Sequence, residues 1–191
     1  MRKLILLSTL MLLPGLALSA AENYKIDSAH TYPYFSISHL GFSTMHGRFN
    51  TTTGSITMDK ANKTGSVNIT IDAASIDTSH KKRDDHLRSP DFLNVIEFPE
   101  ITYKSSKVTI KADDSAVVEG QLTIMGTSKP VTLQVSRISC GIHPFDPTKK
   151  KFVCGFDATA KIMRSDFGVK FGLPKIGDEM NLVFEVEGIR Q

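Results

Sequence analysis

Apolar and polar residues alternate along most of this chain. Phe35, Ile37 and His39 fall on one face of an extended segment, with Tyr34, Ser36 and Ser38 on the other. A two-residue period marks a strand buried on one side. It recurs at Val67, Ile69 and Ile71, at Ile101 and Tyr103, at Val118, Leu122 and Ile124 around Gly120, and at Val131, Leu133 and Val135. Phe156, Ala158, Ala160 and Ile162 repeat it, as do Leu182, Phe184 and Val186. With Tyr24–Asp27 and the Thr-rich Thr51–Met58, the pattern predicts roughly eight or nine strands.

Strands with one apolar face each must share an interior. An open sheet of that width would leave the apolar face wet and its edges unpaired, which closure removes. The expected fold is therefore all-β, an eight-stranded antiparallel barrel, a size whose interior can hold one small ligand. Short connections such as Met125-Gly126 and Lys60 to Lys63 suit a meander. Ala73 to Asn94 lacks alternation and reads as a short helical insert between strands. Ser89 is the N-cap of a fresh helix there, with Pro90 in its first position. Pro99 stops the insert, which would cap one mouth of the barrel.

The amino terminus changes the picture. Arg2 and Lys3, the apolar run Leu4 to Leu18, and the small residues Ser19, Ala20 and Ala21 form a cleavable export signal over 1–20. The run is broken by Pro14 and Gly15 and is shorter than the about 20 apolar residues a membrane span needs, so no stable membrane anchor is expected. Residues 21–191 would then form one barrel domain outside the cytoplasm. Without Arg2 and Lys3, 21 basic residues face 20 acidic ones. That balance offers nucleic acid little, because affinity there comes from neutralising phosphates. The Lys149-Lys150-Lys151 cluster reads as a solvated loop tip. The tripeptides at Asn50, Asn62 and Asn68 match a glycosylation pattern by chance.

Cys140 and Cys154 are the two cysteines. In an exported chain an even count favours a disulfide, with two buried free thiols as the alternative. Strand parity sets a condition. Cys154 shares a face with Phe156, whereas Cys140 falls opposite Val131, Leu133 and Val135 unless a bulge near Ser136–Ser139, or an early strand end, shifts the phase.

The chain has no G-x-S-x-G elbow, P-loop, H-E-x-x-H or C-x-x-C. His80 and His86 are six apart, poor helical spacing for a shared metal, so neither a metal nor a cofactor is expected. Within Arg83-Asp84-Asp85-His86-Leu87-Arg88, Asp84 and Arg88 have the i,i+4 spacing of an exposed ion pair. Alternatively, Arg83, His86 and Arg88 could hold an anionic headgroup at the mouth. His39 is a satisfied core histidine or a polar contact inside a ligand cavity.

Three runs resemble the YceI-like family. They are His30 with Phe35 to Gly41 and Gly47-Arg48-Phe49; Ile76-Asp77-Thr78 with Arg83 to Asn94 and Phe98-Pro99; and Gly120 to Gly126 with Lys129 to Leu133. Together they span nearly all of the chain after its leader. The resemblance implies a lipocalin-like periplasmic barrel that holds a polyisoprenoid or similar lipid along its axis, with no established catalytic residues. It also admits a homodimer. The Cys140/Cys154 pair around His143-Pro144 resembles one branch of the family. The expected function is a non-enzymatic lipid carrier. Phe35, Ile37, Ile69, Tyr103, Leu122, Phe156 and Phe184 would line its groove, with His39 among them. Phe42, Phe49, Phe92 and Phe98 would line mouth and cap. The rivals are an enzyme on a lipid or quinone using His39 or His86, and a stress-related structural or interaction protein.

Overall fold

The computed structural model describes residues 21–191, so the leader expected at 1–20 lies outside the described residues. Eleven antiparallel strands follow in chain order: β1 Glu22–Ile26, β2 Tyr32–His39, β3 Ser43–Phe49, β4 Thr52–Asp59, β5 Thr64–Asp72, β6 Ile76–Asp77, β7 Glu100–Ile110, β8 Ala116–Ile124, β9 Thr127–Ile142, β10 Phe152–Met163 and β11 Ile176–Arg190. One helix, α1 Lys81–Leu87, lies between β6 and β7. Pairing runs β1-β4-β5-β7-β8-β9-β10-β11 and closes through β1 on β11, giving the eight-stranded barrel that alternation predicts.

The three remaining strands continue broken staves. β2 follows β1 along the same edge of β11, β3 runs into β4, and β6 extends β5. Residues 27–31 break the first stave. There Thr31 substitutes for ladder, its hydroxyl donating to Glu187 O (3.3 Å) and accepting from Glu187 N–H (3.1 Å). The β5/β6 stave is broken by the 3-10 turn Ala73–Ser75. The break leaves a seam. β5 pairs with β7 as far as Asp72, and Ala73 N–H donates to Pro99 O, whereas β6 pairs only with β3.

The sequence expectation missed β3. Its apolar face is interrupted by Gly47, because the Phe35 ring from β2 occupies that space; a Cβ there would lie 2.3 Å from Phe35 Cζ. The helical insert is also smaller than expected. Ala73–Ser75 is a single 3-10 turn, Ile76–Asp77 is strand, and α1 alone is α-helical. Ser89 does start a turn, its hydroxyl accepting from Asp91 N–H, but residues 88–97 stay as turns. Asn94, at φ +45°, ends any helical continuation.

A bulge lies at Ser136, where the ladder passes from Arg137↔Asp157 to Val135↔Ala158. It shifts the phase so that Ile138 is buried along with Val131 and Val135. Cys140 then stands directly opposite Cys154, and a disulfide joins them.

Candidate ligand cavity

The barrel is solid at one end and hollow at the other. In the solid half Tyr24, Ile56, Met58, Ile110, Ala116 and Cys154 are all buried in a continuous core. Tyr103 is buried in the core beneath the hollow half, two residues along β7 from the cavity-lining Ile101 and paired with the cavity-lining Leu122, without lining the cavity itself. Gly120 leaves no side chain opposite, so the Tyr103 ring crosses to it, and an added Cβ at Gly120 would lie 2.6 Å from Tyr103 Cζ. The phenol stands 3.0 Å from the carbonyls of both Val118 and Val131, which share its one proton. Burial pushes its pKa up to about 12.

Above the Tyr103 ring lies a cavity of about 540 Å³. Phe35, Ile37, His39, Phe49, Leu122 and Phe184 line its walls, and Phe92 lines it from the insert. The other candidates for the lining sit elsewhere. Phe42, at 89% exposure, projects from the β2–β3 turn. Ile69 and Phe156 pack against the core outside the cavity lining. Phe98 lies over Gly126, joining the insert to the β8–β9 turn. Tyr103 does not line the cavity either; it lies in the core beneath, its hydroxyl held across the barrel.

The insert is tied down by its charged residues. Arg83 donates from Nε to Thr78 Oγ1 and from Nη2 to Thr78 O (both 2.7 Å), while still lining the cavity. Asp84 is 7% exposed and accepts from the backbone N–H and hydroxyl of Thr78. The expected Asp84–Arg88 pair therefore does not form. Arg88 donates instead to Ala74 O and Ile76 O (2.7 and 2.8 Å) and pairs with Asp85. Its guanidinium bridges the seam and takes no part in the cavity lining. His80 caps α1, its Nδ1 accepting from Arg83 N–H.

His86 sits at the rim. Nε2 lies 2.9 Å from Asp91 Oδ2, and the ring stands edge-on to Phe92 and Phe171, with centroids 5.0 Å away. All three rings belong to the cavity lining. His39 lines the cavity, and among the described residues no group hydrogen-bonds its ring.

Sequence reasoning missed the second side of the mouth. The 3-10 turn Arg164–Phe167 and the loop to β11 bring Phe167, Val169 and Phe171 to the cavity. Arg164, 3% exposed, holds this loop by donating to the carbonyls of Val169, Ile176 and Gly177. Burial lowers its pKa, with Asp178 opposing. Asp178 itself is held below the usual carboxylate range by the Ser165 hydroxyl and N–H that it accepts from. The available signal was two phenylalanines, each beside a glycine, in a non-alternating segment.

Residues 24–188 match the YceI-like domain family model. A UPF0312 protein of Pseudomonas aeruginosa is 42% identical over 174 residues, covering 90% of this chain and 88% of its own. Protein YceI of Escherichia coli is 39% identical over 187 residues, covering 96% and 94%. Among solved structures, Burkholderia cenocepacia BcnA superposes with a TM-score of 0.73 at 24% identity, covering 85% of this chain and 98% of BcnA. A polyisoprenoid binding domain from Saccharophagus degradans does so at 0.63 and 15% identity, covering 88% and 98%. At those identities the two structures speak for the fold, and the family rests on the model match and the relatives: this chain belongs to the YceI-like domain family.

Proposed function

We propose that the protein binds and carries a polyisoprenoid or other long-chain amphiphile in the periplasm, with the tail in the barrel cavity and without catalysis. The observation that carries this reading is a barrel with a hollow end whose walls are mostly apolar, with a buried tyrosine beneath it and three packed rings in its lining. Each CH₂ taken from water is favourable by about 0.8 kcal/mol, so a tail of about fifteen carbons gives roughly 12 kcal/mol gross. Lost translational freedom and ordering reduce that figure. The shared fold with a domain named for polyisoprenoid binding supports the ligand class. In this reading Phe35, Ile37, Phe49, Phe92, Leu122 and Phe184 pack the tail. The disulfide, a bond that persists in oxidising compartments, supports export.

Binding without catalysis fits the rim. His86 and Asp91 form a dyad there, but the imidazole faces two phenylalanine rings rather than a hydroxyl or thiol. Native mass spectrometry of protein purified without detergent from its own host tests the proposal. A stoichiometric long-chain adduct is expected. An empty protein that also refuses added polyprenols and fatty acids would sink it.

A further inference from the structure

The charge around the cavity is one-sided. Lys82, Arg83 and Arg164 line it together with four histidines, and among the described lining residues none is acidic. The neighbouring carboxylates are committed to other partners. Asp84 takes Thr78, Asp85 takes Lys81 and Arg88, Asp91 takes His86, and Asp178 takes Ser165. Arg83 and Arg164 donate to a threonine and to backbone carbonyls and meet no carboxylate within ion-pair distance. Arg164 is buried with neutral hydrogen-bond partners and feels Asp178 only from beyond contact, and the half-buried Arg83 reaches Asp84 only through the Thr78 hydroxyl, so neither charge is directly paired at the cavity wall. Both arginines also hold structure, Arg83 the insert and Arg164 the loop to β11, yet both are part of the cavity lining.

We infer that the cavity selects amphiphiles with an anionic head, a carboxylate or phosphate monoester, over neutral lipids of the same tail. Arg83, from α1, contacts the head, and Arg164, across a different element, adds its field. The inference rests on the lipid-binding reading above. A charge-assisted hydrogen bond from a guanidinium is stronger than its neutral counterpart, so the acid binds about tenfold or more tighter than the matched alcohol.

The test compares hexadecanoate, hexadecyl phosphate and hexadecanol by displacement of a fluorescent lipid at near-neutral pH. Both anions are expected to bind about tenfold or more tighter than the alcohol, and their ranking against each other tells a carboxylate site from a phosphate site. Added salt weakens the anions and spares the alcohol. Arg83→Gln narrows the anion preference, and Arg83→Lys restores part of it. Should Arg83→Gln fail to fold, the exposed Lys82→Gln with the salt titration reads the same charge. Equal affinity for acid and alcohol overturns the inference, as does a preference that neither variant nor salt changes. Loss of all three ligands instead overturns the cavity reading on which the inference stands.

Discussion

Replacing Tyr103 with leucine should lower the floor of the cavity and lengthen the tail it accepts. Taking liquid water's share of about 30 Å³ per heavy atom, the 540 Å³ hollow admits about 18 heavy atoms. Tyr103→Leu removes four more from beneath it, next to Gly120. In the native protein, affinity should rise about fourfold per added carbon, from about 0.8 kcal/mol per CH₂, and then flatten near about 18 carbons. In the variant the break moves out to about 22 carbons, a difference of about 3 kcal/mol for the longest tails. The fold loses stability in exchange. Opening about 120 Å³ of buried space costs about 3 kcal/mol. The lost contacts of the hydroxyl to Val118 and Val131 cost about 1 kcal/mol more. Pairwise competition between saturated tails, stepped two carbons at a time and read by native mass spectrometry, measures the break. A break at the same length in both proteins, or none in the native one, would refute the role given to Tyr103 beneath the cavity.

The same residue governs alkaline behaviour. With its pKa raised from 10.0 to about 12, the Tyr103 phenol contributes stability that is complete below pH 10 and lost as pH climbs through 12. Absorbance titration should therefore show a late tyrosinate step that Tyr103→Phe reduces, the buried Tyr24, also raised, accounting for the remainder. A titration unchanged by that variant contradicts the buried, donating phenol. At the solid end, Cys140→Ser with Cys154→Ser should cost on the order of 3 kcal/mol by the loop-closure argument. Lipid affinity should hold, because neither cysteine lines the cavity. A thermal midpoint indifferent to reductant counts against the bridge.

Much of the barrel is legible because alternation reports burial one residue at a time. The face that holds Phe35, Ile37 and His39, or Leu182 and Phe184, can be read without knowing its neighbours. The parts that escaped depend on a second segment. β3 is hidden because Gly47 yields its space to Phe35 from the next strand. Alternation also could not separate the wall from the core beneath it, since Tyr103 and Leu122 share an inward face and differ only in what Gly120 leaves open. The charged run 83–88 could be read as a cluster but not sorted. Which arginine faces the hollow is settled by Thr78, Ala74 and Ile76, residues that the helical pattern does not address. Arg164 is legible only through the carbonyls of Val169, Ile176 and Gly177, which the fold brings to it.

The broken staves divide the barrel mechanically. Its solid end is a complete hoop of eight strands. At the hollow end β2, β3 and β6 form a leaf hung from β11 along one edge, and the leaf's free edge at β6 is fastened to the insert by Arg88. The hoop is closed by ladder on every side, whereas the leaf shares a ladder with it only along β11, so the far side of the hollow end is held by the insert's side chains and by the short crossings at 27–31, 50–51 and 73–75.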